Sequence, residues 1–141
     1  MRRPAAPAAL LCVCFCAGII GIFAAMAGEW LWARAGLPGL GGWALQPIPA
    51  VDGFYARLFY GGVWGLLFFI GVGAERGRKQ WIRKGLLLGL VPALIQLLLL
   101  FPGMSSVSLE AGILRPLLLL LLNLAWGATV GIVTRLFWGR G

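Results

Sequence analysis

Few residues in this 141-residue chain could do chemistry. The four carboxylates are Glu29, Asp52, Glu75 and Glu110, scattered far apart, and there is no histidine. Hydrolytic chemistry needs a positioned base and usually a nucleophile beside it, and the sequence supplies no such constellation. The three cysteines fall in CVCFC, at Cys12, Cys14 and Cys16. That is not the CxxC spacing of a metal or redox site, and no second ligand cluster could complete one. On a helix Cys12 and Cys16 share a face while Cys14 points elsewhere, so they read as small, polarizable packing residues. The glycines are spaced for helix packing and not as a phosphate-binding loop. The expectation is a non-enzymatic chain with no cofactor and no metal.

What remains is a handful of polar side chains set in apolar sequence: Glu29, Arg57, Gln96 and Asn123. Their chemistry is ion pairing and hydrogen bonding in a medium of low dielectric. The medium follows from composition. Hydrophobic residues make up 61% and charged residues 11%, against roughly 25% charged in an average soluble domain. Such a chain cannot cover a water-facing surface, and the bilayer is the solvent that suits it. Arginine outnumbers lysine ten to two, which together with abundant Ala and Gly suggests a GC-rich bacterial source.

The elements that must position these side chains are spanning helices of about 20 apolar residues. Four segments qualify, at about 8–28, 54–74, 81–101 and 116–138. The fold class expected is all-α, a polytopic membrane protein whose single domain is a bundle of four transmembrane helices. Between the first two spans the Gly- and Pro-rich stretch LWARAGLPGLGGWALQPIPAVDG is expected to be irregular or an interfacial turn. Its Trp32 and Trp43, and Trp30 just before it, suit the headgroup level. A basic start followed by an apolar run and Ala25-Met26-Ala27 also resembles a cleavable signal peptide, although the run exceeds the usual seven to fifteen residues.

Orientation follows from the basic residues. Arg2, Arg3, Arg76, Arg78, Lys79, Arg83, Lys84, Arg135 and Arg140 fall on one side, and Arg34, Arg57 and Arg115 on the other. Cytoplasmic loops carry the excess of positive charge. Both termini and the loop AERGRKQWIRKG are therefore expected in the cytoplasm of a bacterial plasma membrane. The cluster Arg76, Arg78, Lys79, Arg83 and Lys84 sets topology and meets anionic lipid headgroups. The net charge of +8 is thus accounted for by lipid, and nucleic acid is not an expected partner.

In lipid, helices associate through close packing and polar contacts, and small residues four apart make a flat groove. The sequence offers Ala17, Gly21 and Ala25 on helix one, Gly61 and Gly65 on helix two, Gly85, Gly89 and Ala93 on helix three, and Gly127 and Gly131 on helix four. Each groove runs into a polar residue at helical spacing, giving Glu29, Arg57, Gln96 and Asn123 in turn. With the topology above, all four lie in the outer half of the membrane and are expected to converge there. Two readings of Glu29 stand side by side. It pairs with Arg57, for which Asp52 competes, or it marks the water boundary with Trp30 and Trp32 as anchors. Pro92 removes a hydrogen bond inside helix three and should bend it. Pro116 occupies the first turn of helix four without cost, and Ser108 and Glu110 could start a short lead-in helix.

The stretch QWIRKGLLLGLVPALIQLLLLFPGM places a Trp, then Gly-Leu-Leu, a second Gly, a late Gln and a closing Pro-Gly-Met. In this order, and in the layout of an early helix, a Trp- and Pro-containing outer loop and a final helix with a Trp, the chain resembles the YagU-type inner-membrane proteins. The resemblance covers about two thirds of the chain. It implies a polytopic plasma-membrane protein and carries no catalytic residues. The function expected is assembly, with itself or with a larger membrane complex. The alternative is a subunit of a small oligomeric channel or transporter whose outer vestibule holds the four polar residues.

Overall fold

An apolar run in hydrocarbon must satisfy every backbone N–H and C=O within itself, so it forms a helix despite its glycines and β-branched residues. The computed structural model describes residues 7–37, 51–72, 80–100 and 114–138, without the side chains of 51, 52, 99, 100 and 115. It contains four α-helices: α1 Pro7–Arg34, α2 Val51–Val72, α3 Trp81–Leu100 and α4 Leu114–Trp138. Among the described residues there is no strand. All four helices are long and apolar enough to cross a membrane. At about 1.5 Å per residue the 28 residues of α1 reach about 42 Å, more than the roughly 30 Å of a hydrocarbon core.

That length corrects one expectation. Residues 31–34 do not begin the irregular stretch; α1 carries on through Glu29, Trp30 and Trp32 to Arg34. It stops where Gly36 takes φ +70°. The Gly36 N–H donates to the Ala33 carbonyl at 3.0 Å and the Leu37 N–H to the Trp32 carbonyl at 3.4 Å. This is the Schellman pattern, which satisfies the orphan carbonyls of the last turn. A glycine followed two residues later by Pro38 is the sequence signature of such a stop. At the other boundaries α2 begins three residues earlier than expected and α4 two residues earlier.

The helices run up, down, up and down around a ring. α1 packs closely on α2 and α4, and α4 closely on α3, while α2 and α3 meet much less extensively. One end of the ring gathers the start of α1, the end of α2, the start of α3 and the end of α4. The opposite end holds Glu29. The interior mixes small groups, with Cys14, Ala17, Val72, Ala93, Val130 and Thr134 fully buried, and a few large ones, among them Phe68, Trp81 and Trp126. Large apolar side chains point outward on every helix, among them Phe23, Phe59, Ile70, Leu87, Leu98 and Phe137. A water-soluble bundle does not turn so many large apolar groups outward on every helix, so this exterior is one that lipid solvates. α3 continues through Pro92, which is buried.

Candidate functional site

The polar residues inside the spans meet in two pairs. The first joins α1 to α2: Arg57 Nη1 lies 3.7 Å from Glu29 Oε2. This is longer than a hydrogen bond and acts as a Coulombic contact. Glu29 is the more enclosed partner, 14% exposed against 36% for Arg57, and its Oε2 is buried. A carboxylate near a helix end is far less costly than one at the bilayer centre, and the guanidinium offsets part of what remains. Phe23 and Phe54 meet edge to face across the same helix pair, at 6.1 Å between ring centroids. The Arg34 guanidinium lies 4.3 Å from the centre of the Trp30 ring, one turn below it on α1.

The second pair joins α3 to α4. Asn123 Nδ2 donates to Gln96 Oε1 at 3.1 Å and also to the Leu119 carbonyl one turn back, at 2.8 Å. The backbones must be close for such short side chains to meet. Gly89 provides this, since a Cβ there would strike the Asn123 carbonyl. Gln96 is exposed and Asn123 half-buried. The four polar residues thus form an α1–α2 couple and an α3–α4 couple at the same end of the bundle. The side chains of Asp52 and Arg115 lie outside the described residues, as do Arg76, Arg78, Lys79, Glu75, Glu110, Ser108 and Trp43.

One glycine crossing holds each hairpin together. In the α3–α4 crossing a Cβ on Gly85 would strike the Gly127 carbonyl, one on Gly127 the Gly85 carbonyl, and one on Gly131 the Trp81 carbonyl. The α1–α2 crossing brings Gly61 and Gly65 against Gly18 and the Cys14 carbonyl. Here the groove chosen from the sequence on helix one differs from the one used. Gly18, which the stripe Ala17, Gly21 and Ala25 leaves out, is the residue on which α2 sits. Gly21 serves α4, because a Cβ there would come within 2.6 Å of Trp126 Cδ1. Ala17 is fully buried, and Ala25 packs at the edge of the core. Cys14 is buried while Cys12 and Cys16 are exposed, as their spacing requires.

Trp126 is the interhelical contact that the sequence reading passed over. Its Nε1 donates to the Gly18 carbonyl at 2.9 Å in the buried core, tying α4 to α1. The signal was present. Trp126 sits at the middle of α4, whereas membrane tryptophans favour the interface, and a buried indole N–H needs an acceptor. Lys84 also differs from its expected place among lipid-facing cations. Its Nζ donates to the Gly71 carbonyl at 2.6 Å, capping the last turn of α2 from the neighbouring helix. Arg83, next to it, is exposed. Among the described residues no group of three or more His, Cys, Asp or Glu is placed to hold a metal ion. Comparison with protein-family models, with curated proteins and with solved structures finds no match for this chain.

Proposed function

We propose that this chain is a multi-pass protein of the bacterial plasma membrane, with both termini cytoplasmic, that catalyses no reaction and works by assembly. Its partners are membrane lipids, a second copy of itself, or a larger membrane complex. One observation carries the reading. Glu29, Arg57, Gln96 and Asn123 are engaged in couples between helices, and every helix turns large apolar groups outward. Such a surface suits contact with other membrane helices more than capture of a polar substrate. The glycine grooves are occupied within the chain, so assembly would use these large-residue faces. The excess of Lys and Arg at the termini and in residues 76–84 supports the orientation. The resemblance to the YagU-type proteins supports the same membrane.

A second reading is a conduit subunit, favoured by the exposure of Gln96 and the partial exposure of Arg57 at one end of the ring. Native mass spectrometry of the purified protein in nanodiscs, run beside liposome flux assays, separates the two. The assembly reading expects a discrete oligomer and no flux. A flux of ions or solutes that Asn123→Leu or Glu29→Gln abolishes would replace it with the conduit.

A further inference from the structure

The start of the chain carries a conflict that its sequence leaves open. Arg2 and Arg3, an apolar run and Ala25-Met26-Ala27 have the form of a leader that is cut after Ala27. The apolar run and the Ala25-Met26-Ala27 stretch also lie within a helix long enough to span. Cleavage requires the scissile backbone to leave its helix, so susceptibility depends on the hydrogen bonding and burial around the bond. Ala27 itself faces outward, but its surroundings are held. α1 does not end there; it runs on through Glu29, Trp30 and Leu31 to Arg34, and Gly36 closes it. The carbonyls of Ala25, Met26 and Ala27 therefore find their N–H partners further along the same helix, through bonds local enough to form early. The flanks are packed as well. Ala25 lies against the core, and a Cβ on Gly28 would come within 2.9 Å of Leu122 Cδ2 on α4. Glu29, the next residue, faces Arg57 on α2.

The residues ahead of the bond matter as much. Leu10, Cys14, Ala17, Gly18 and Gly21 are buried. Gly61 and Gly65 of α2 lie against Gly18, and Trp126 of α4 donates its indole N–H to the Gly18 carbonyl. Loss of residues 1–27 would uncover the α2 glycines and take the acceptor from Trp126. A leader departs, and the chain it leaves behind must pack without it; here two neighbours are fitted to the segment in question. We infer that α1 is retained as a structural span, with the Ala27–Gly28 bond kept intact by the helix that continues past it and by packing on α4. Ala25 and Gly28 are then packing residues and not the recognition residues of a leader. The inference rests on the proposed orientation, because it needs Ala27 on the outer side, where leaders are cut. Retention keeps four spans and both termini on one side. Cleavage would leave three spans and a new N-terminus at Gly28 on the other side.

The test expresses the full-length chain with a C-terminal reporter in a bacterium that has an active leader peptidase. Intact mass and N-terminal sequencing of the membrane fraction should show a chain that still contains residues 2–27. A main product that begins at Gly28, formed by addition of one water across the Ala27–Gly28 bond, would overturn the inference. Trp30→Pro then asks whether the helix is the protection. Trp30 is 53% exposed, so the change acts on the backbone: it removes the N–H that bonds the Met26 carbonyl and clashes with that carbonyl. In pulse-labelled cells, read before any misfolded chain is degraded, Trp30→Pro should raise the fraction cut after Ala27 at least threefold over Trp30→Ala. A leader-peptidase inhibitor should abolish the rise. Equal processing of the two variants would overturn the protective role of the helix. The C-terminal reporter gives orientation separately. A cut chain with a cytoplasmic C-terminus sinks retention alone. An uncut chain with its C-terminus outside sinks the orientation and, with it, the reason given for retention.

Discussion

Trp126 brings one indole N–H to a carbonyl that already belongs to the α1 hydrogen-bond ladder. Interhelical hydrogen bonds in membrane proteins average about 0.6 kcal/mol and reach about 1.7. Trp126→Phe keeps much of the ring volume against Gly21 and removes the donor. It should cost about 1–2 kcal/mol, measured by steric trapping in bicelles, and loosen α1 from α4 more than it disturbs α3–α4. The Glu29–Arg57 couple calls for a double-mutant cycle. Partly exposed pairs are worth about 0.2–1 kcal/mol, so Glu29→Gln and Arg57→Gln should show a coupling of that size. Zero coupling would leave Glu29 as a marker of the water boundary, held by Trp30 and Trp32 alone.

At the scale of elements, glycines in the same helix have opposite tolerances. Gly18, Gly61, Gly85 and Gly127 each lie against backbone of the facing helix. Gly18→Leu should separate α1 from α2, and Gly127→Leu should separate α3 from α4. Each would be read as loss of a crosslink between engineered cysteine pairs on those two helices and retention of the crosslink in the other hairpin. Gly71, by contrast, offers an added Cβ nothing nearer than the Lys84 side chain at 4.0 Å. Gly71→Ala should be neutral or stabilising by up to about 1 kcal/mol through helix propensity. A large loss of stability there would show that the α2–α3 end is packed more tightly than these contacts indicate. The α1 stop has the reverse logic. An alanine at Gly36 would have to keep φ near +70°, at a cost of about 1 kcal/mol, visible as faster amide exchange in the last turn of α1.

For the whole molecule, orientation is the testable property. Reversing Arg76, Arg78, Lys79 and Arg83 to Glu while keeping Lys84 removes topology charge and leaves the α2 cap in place. Reporter fusions at both termini should then show a mixed or inverted population. Unchanged orientation would remove the argument from positive charge. Lys84→Met makes the complementary change. It should leave orientation intact and weaken the α2–α3 hairpin by exposing the Gly71 carbonyl, seen as more dynamic spin-label distances across that seam.

The sequence by itself determined the solvent, the number of helices and the flat faces on α2, α3 and α4. Each of these depends on local quantities: runs of apolar residues long enough for a bilayer, and small residues one turn apart. The Gln96–Asn123 and Glu29–Arg57 couples were legible for the same reason, since each residue continues its helix's groove at helical spacing. Periodicity failed on α1, where Ala17, Gly18, Gly21, Ala24, Ala25, Ala27 and Gly28 put small groups on every side. A small residue says that a neighbour can come close but not which neighbour does. Tertiary structure alone decided that Gly18 takes α2 while Gly21 takes Trp126, and that Lys84 caps α2. It alone made the α2–α3 seam the least extensive of the ring, because only the simultaneous packing of four helices fixes which faces meet.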